Sequence, residues 1–279
     1  MIDENAFLDS IFKAIDEHRL TLPTLPEVAL RVRDAVESED STAQQIAKIV
    51  ATDAALSARL LQVANSPLYR GRNPIDNLQM AVARLGTRLV RSLVVSLIMQ
   101  QIFQATCDIL DKRFRQLWEE SVQIAAISRV LAQSLKHLDR EQAMLAGLIH
   151  NIGALPVLTM AEHSPELISD QEELDRVIEA LSPRIGKRIL EDWDFPESLI
   201  KVPAHFQDLG YDGGTQADYV DVVLVARLQT ALGNDHSLTN EDWGIIPAFV
   251  KVGLEPEINV VDIEGVEEEV KEVEVMFLS

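Results

Sequence analysis

Apolar residues recur along this chain at the three- and four-residue spacing of amphipathic helices. Leu56, Leu60 and Val63 share one helical face, and Leu78 and Val82 share another. We find no series of alternating polar and apolar positions of the kind that predicts a sheet. The pattern therefore predicts an all-α protein, with helices near 89–102, 112–138, 141–149, 171–193 and 215–232.

Capping residues mark where several of these helices begin. Thr24–Glu27 and Ser41–Gln44 both have the capping-box pattern, and Thr52-Asp53 is suited to cap a third helix. Gly86 is a natural left-handed end for the fourth helix, and Thr87 is suited to cap the fifth. The fifth helix is apolar on nearly every side, which is typical of the centre of a bundle.

The end of the chain has its own pattern. Val266, Val270, Val273 and Phe277 lie at helical spacing, and glutamates fill the gaps. We predict an amphipathic helix with an acidic outer face. The alternation over 273–275 leaves a strand as the alternative.

Composition narrows the function classes. The 279 residues carry a formal net charge of −20, which disfavours DNA, RNA and anionic lipid as partners. The single cysteine, Cys107, excludes an intrachain disulfide and a multi-thiolate zinc site, and we expect it to be a packing residue. We see no secretory signal or membrane-spanning stretch. The sequence predicts a soluble, cytoplasmic protein.

The histidine at 150 offers the sharpest chemical lead. It stands in the sequence Leu148-Ile149-His150-Asn151-Ile152-Gly153. A His-Asp pair at the end of a buried helix can hold a metal ion that activates water. Here the second residue is Asn151, whose neutral amide is a poor ligand for a hard divalent ion. The alternative is structural: His150 ends a helix or bonds across the bundle, and Asn151 and Gly153 serve a left-handed turn.

Four linked segments carry a family resemblance. They are Leu22–Pro26, Val50–Leu56, Leu60–Pro67 and Ala81–Gly86. In this order they resemble the HDOD domain of bacterial signalling proteins, an all-helical relative of the HD metal-dependent phosphohydrolases. The resemblance implies an HD-like bundle that has lost its metal site and acts in regulation.

The resemblance also implies a domain organisation. We expect a helical lead-in at 1–19, an HDOD domain at 20–212 and a C-terminal helix with an acidic tail at 213–279. Within the domain, 20–110 form an N-terminal helical part and 111–212 a degenerate HD-like part. The charge divides the chain at the same place, since residues 1–110 carry a net −2 and residues 111–279 a net −18.

Compared with the catalytic relatives, this sequence has different residues at several of the metal-ligand positions. The resemblance places them at Glu120, His150, Asn151, His205 and Arg227, with no ligand at Ser182-Pro183. His205 is followed by Phe206 rather than by a carboxylate. We therefore expect no catalytic residue, no metal and no cofactor.

Five arginines form a local basic patch in an acidic chain: Arg70, Arg72, Arg84, Arg88 and Arg91. One interpretation is a site for a small anionic ligand or an acidic partner. The other, which we favour, is ion pairing with the acidic second part of the chain.

Two functions from different classes follow. The first is a non-enzymatic signalling module that binds partner proteins and a possible small ligand, with oligomers possible. The second is a metal-dependent phosphohydrolase, in which Asp192, Asp194 or Asp208 would complete a site with His150 and His205.

Overall fold

The structure is a computed structural model, and it describes residues 4–17, 31–32, 34–35, 42–69, 71, 74–102, 108–162, 164–232 and 242–278. All regular secondary structure within these ranges is helical, which confirms the all-α prediction. The α-helices are α1 Glu4–Asp16, α2 Ala43–Val50, α3 Ala54–Ala64, α4 Leu78–Leu85, α5 Thr87–Ile102, α6 Asp108–Ala132, α7 Arg140–Ile149, α8 Ala154–Ala161, α9 Pro165–Ser169, α10 Gln171–Asp192, α11 Glu197–His205, α12 Tyr219–Ala231, α13 Pro247–Val252 and α14 Val266–Leu278. Two 3₁₀ turns lie at Trp243–Ile245 and Val260–Asp262.

Side-chain caps start the helices of the N-terminal part. The α2 cap is Thr42, whose side chain accepts from the backbone N–H of Gln45 in a capping box. The predicted box was therefore wrong by one residue: Ser41–Gln44 and Thr42–Gln45 have the same spacing, and the box is formed by Thr42 and Gln45. Asp53 caps α3 as predicted, with Oδ1 2.9 Å from the N of Leu56. The predicted box at Thr24 lies outside the described residues.

A glycine turn joins α4 to α5. Gly86 has φ +81° and ψ +156°, a region that only glycine adopts readily, although it is not the left-handed helical geometry we predicted. Thr87 is the first residue of α5 itself and does not cap it. The α5 helix then runs through the core, as its composition predicted, with Val90, Leu93 and Met99 fully buried.

The second part of the chain is built around α6. This helix packs against α7, α12 and α14, while α10 packs against α8 and α11. Gly153 and Gly186 permit the contact of the α7–α8 turn with α10, since a Cβ on Gly153 would lie 2.6 Å from the N of Gly186 and overlap the carbonyl oxygen of Ser182. Gly153 has φ −67°, so the predicted left-handed turn was wrong and close approach is its role.

The acidic C-terminal segment is a helix, not the alternative strand. Val266, Val270, Val273 and Phe277 of α14 are all buried. The Phe277 ring meets Trp118 of α6 edge-on at 6.1 Å, and the indole Nε1 donates to the carbonyl oxygen of Phe277 at 3.3 Å. The apolar face of α14 thus covers α6, and Glu267 and Glu268 lie outward.

A buried ionic network connects three parts of the chain. Arg129 on α6 is 1% exposed and donates from Nη2 to Glu141 Oε1 at 3.0 Å. Tyr69 donates to the other Glu141 oxygen at 2.9 Å, and Arg129 also pairs with Glu269 on α14. Burial and the adjacent Glu141 both raise the pKa of the Tyr69 hydroxyl. The network fixes the N-terminal part and α14 to the α6–α7 pair.

One stretch of the described chain passes a simple test for a membrane span. Arg140–Ala161 is long and apolar enough by length and composition, but 83% of its most apolar window is buried inside the protein. Core helices commonly pass the same test, so the observation is weak support for a span.

Candidate functional site

The candidate site inherited from the HD relatives is centred on His150. This residue ends α7 and is 2% exposed. Its Nδ1 lies 2.6 Å from the carbonyl oxygen of Gly147, so Nδ1 carries the hydrogen and donates. The imidazole meets the ring of Phe206 edge-on, with centroids 4.9 Å apart. His150 therefore fulfils the structural role that its position at a helix end predicted.

A guanidinium also lies close to this phenyl ring. The Cζ of Arg227, on α12, is 5.5 Å from the Phe206 centroid. Burial lowers the pKa of Arg227, and the carboxylates of Glu120 and Glu179 oppose that shift. Arg227 nevertheless keeps its charge, because an arginine does not lose its proton in proteins. The site thus has a fixed cation with two acidic neighbours.

The positive charge of Arg227 also affects the pKa of His150. Burial lowers the pKa of His150 to about 4; the bond to Gly147 opposes this shift, and Arg227 adds to it. His150 is consequently neutral at pH 7, and its Nε2 is the nitrogen left with a lone pair.

Asn151 and His205 are the remaining residues of the predicted site. The buried Oδ1 of Asn151 accepts no hydrogen bond from the part of the chain that the structure describes. His205 ends α11, half-buried, and its ring lies 5.1 Å from that of Tyr211. Thus His150, Arg227 and Glu120 share one electrostatic environment, while the described contacts of His205 turn toward Tyr211.

The chemistry of these side chains can be tested against a divalent metal ion. A metal centre of the hydrolytic type needs about three protein ligands. Within the described residues, no group of three or more His, Cys, Asp or Glu side chains is placed to hold one. Of the carboxylates considered for a hydrolytic site, Asp192 pairs with Arg188 and Asp208 accepts from the N–H of Gly210. The donors present do not fit a divalent metal ion.

Two members of the arginine patch lie at the same cavity. Arg84 and Arg88 line one cavity of about 680 Å³ between the α4–α5 turn and the start of α7, whereas Arg91 is absent from its lining. Arg70 and Arg72 lie outside the described residues, as does Cys107. A buried ion pair with the acidic C-terminal helix is made by Arg129, which is not one of the five arginines.

Comparison with known proteins now identifies the family. The profile of the HDOD domain matches residues 22–209, which is more than half of the chain. The chain belongs to the HDOD domain family. The family and the all-α bundle are those that the resemblance in the sequence implied.

Solved structures extend the comparison over the whole chain. A Shewanella amazonensis SB2B protein described as a "Putative metal-dependent phosphohydrolase" is 32% identical, with a TM-score of 0.83 over 99% of this chain and 100% of that one. A Marinobacter aquaeolei VT8 protein described as a "Putative signal transduction protein" is 20% identical, with a TM-score of 0.67 over 99% of this chain and 66% of that one. At that identity the second likeness shows the HDOD fold alone.

A curated relative is longer than this HDOD chain. An uncharacterized protein from Treponema pallidum (strain Nichols) is 26% identical over an alignment of 233 positions, which covers 78% of this chain. The match spans 43% of that relative's length.

Sequence reasoning missed several residues at these positions. Glu179 joins Glu120 beside Arg227, and it lies one helical turn before Ser182, where a ligand was sought. Arg140 completes the cavity of Arg84 and Arg88. Spacing along α10 could have suggested Glu179, but Arg140 is more than 50 positions from Arg88 and only the fold brings them together.

Proposed function

We propose that this HDOD protein is a non-enzymatic regulatory module whose degenerate HD site is completed by an internal cation instead of a metal ion. The observation that carries the proposal is the guanidinium of Arg227 beside His150, with Glu120 and Glu179 as its counter-charges. The proposed setting is the cytoplasm, and the proposed partners are signalling proteins that contact helical surfaces.

Electrostatics supports this proposal. A divalent ion near His150 would be repelled by Arg227, and the repulsion would be strong because the site is buried. Phe206 occupies the position that follows the second histidine of the motif, and it packs its ring against His150. An apolar ring there supplies no ligand and fills space that a metal-bound water would need.

The phosphohydrolase alternative has one specific observation in its favour. Metal-binding histidines usually donate their second N–H to a backbone carbonyl, as His150 does to Gly147. The 32% identical Shewanella protein also bears a phosphohydrolase name. Both points would fit a metal on Nε2 if other ligands were found.

A metal and activity measurement separates the two functions. The full chain is purified without a chelator or a polyhistidine tag, its metal content is measured by elemental analysis, and phosphomonoester and phosphodiester turnover is assayed with Mg²⁺, Mn²⁺ and Zn²⁺. We expect metal well below one ion per chain and no turnover above that of a protein-free blank.

Variants make the test decisive. A stoichiometric metal that is lost in His150→Ala, but kept in the surface variant His137→Ala, would overturn the proposal, as would turnover with the same dependence. Because His150 is buried, circular dichroism must first show that the His150 variant is folded. Should the His150 variant fail to fold, Asn151→Ala replaces it, since this substitution would also remove a candidate metal ligand from the site.

A further inference from the structure

The cavity of about 680 Å³ lies where the two parts of the HDOD domain meet. The end of α4 and the start of α5 line one side, and the first turn of α7 lines the other. Its size is within the range of small-molecule sites, which is roughly 300 to 1,000 Å³. It does not include His150 or Arg227, so it is separate from the degenerate HD site.

Three arginines converge on this cavity from three helices. Arg84 lies in the last turn of α4, Arg88 in the first turn of α5, and Arg140 at the first position of α7. Arg84 donates from Nη1 to the carbonyl oxygen of Ala64 at 3.3 Å. Arg88 is exposed and makes no hydrogen bond or ion pair within the described part of the chain.

The acidic side chains of the lining are already engaged. Asp139 Oδ1 accepts from the N–H groups of Glu141 and Gln142 at 2.8 and 3.1 Å, which caps α7. Glu141 accepts from the buried Arg129 and from Tyr69, and Arg140 Nε lies 3.3 Å from one of its oxygens. The lining holds three arginines and two carboxylates, so the wall of the cavity is net positive.

The remaining lining is suited to a ligand that is part charged and part flat and apolar. Leu85, Leu89 and Leu138 contribute aliphatic surface. Gly86 precedes α5 and has no side chain with which to cap it, so the first N–H groups of that helix are open to an acceptor. Phosphate oxygens are acceptors that arginines bind with two parallel hydrogen bonds.

We propose that this cavity binds a nucleotide, with its phosphate held by Arg84, Arg88 and Arg140 and its base against the leucines. A chain of net charge −20 repels anions in general, so a positive cavity at the junction of its two parts is a local exception. The proposal does not rest on the non-enzymatic function, because a metal at His150 would leave this cavity unchanged.

Fluorescence anisotropy of labelled nucleotides tests it on the full chain. The probes are methylanthraniloyl-ADP and a fluorescein-labelled cyclic di-GMP, used at low salt. We expect saturable binding of at least one probe, displaced by the unlabelled nucleotide and not by its nucleoside. Arg88→Gln and Arg140→Gln should each weaken binding by about tenfold or more, since each removes a charged donor.

Arg91→Gln is the matched control, because Arg91 is on the same helix one turn beyond Arg88 and outside the lining. It should change affinity by less than about twofold. Absence of binding of either probe up to about 1 mM would overturn the proposal, as 1 mM is already the weak limit for a specific site. Equal displacement by the nucleoside, or equal affinity in Arg88→Gln and Arg91→Gln, would overturn it too.

Discussion

Acidification should destabilise this protein through one buried imidazole. An unfolded histidine takes up its proton as the pH falls through about 6.5, whereas His150 in the folded protein resists protonation until about pH 4. The unfolded state therefore binds more protons across this window, and stability falls as pH falls. At about 1.4 kcal/mol per pH unit, the loss from His150 amounts to about 3 kcal/mol between pH 6.5 and pH 4, and it does not grow further below pH 4.

Comparing the natural protein with a His150 variant separates the effect of this histidine from that of the many carboxylates, which titrate over the same pH range. The His150→Asn variant keeps a donor for the Gly147 carbonyl oxygen but cannot take up a proton. Urea unfolding at pH 7 and pH 4 should show the stability gap between the natural protein and His150→Asn narrowing by about 3 kcal/mol. His137→Asn provides the baseline for losing an exposed imidazole. A gap that stays constant with pH would refute the buried, neutral state of His150.

Three further substitutions probe the packing. Gly153→Ala should lower the free energy of chemical unfolding by about 1–3 kcal/mol or more, because the added Cβ would overlap the Ser182 carbonyl oxygen. An unchanged denaturant midpoint would contradict the close contact. Phe277→Ala should cost about 3–5 kcal/mol by calorimetry, because it empties a fully buried site, and a loss below about 1 kcal/mol would show that α14 does not pack there. Arg129→Met should lower the free energy of unfolding by about 3–5 kcal/mol, because Glu141 stays buried without this guanidinium. The double variant Arg129→Met/Glu141→Leu should recover most of that loss, and no recovery would argue against the pair.

Most of the helices could be predicted because their signals are local. Asp53 caps α3 and the valines of α14 face inward as their spacing indicates, since both depend on residues within a few positions of one another. The helix predicted over 112–138 ends at Ala132 instead, because Asp139 starts a new helix and a turn must precede it. Gly153 was misjudged because its role comes from α10, which no local pattern reveals.

The candidate site was less accessible to sequence reasoning. His150 could be singled out from its neighbours, and Arg227 from the family resemblance. That both side chains lie close to the Phe206 ring depends on how α7, α11 and α12 pack. The basic patch was predicted from a run of arginines; of its members within the described residues, Arg84 and Arg88 line the cavity and Arg91 does not.

The position of α14 has a consequence for synthesis of the chain. Trp118 and Phe277 are 159 residues apart in the sequence, yet they share one contact. At about 5–20 residues per second, a ribosome needs roughly 10–30 s to travel from one to the other. During that interval the apolar face of α6 has no cover from α14. Nascent chains stalled before residue 266 should therefore be held by chaperones and cleaved readily by proteases, and release of the last helix should end both.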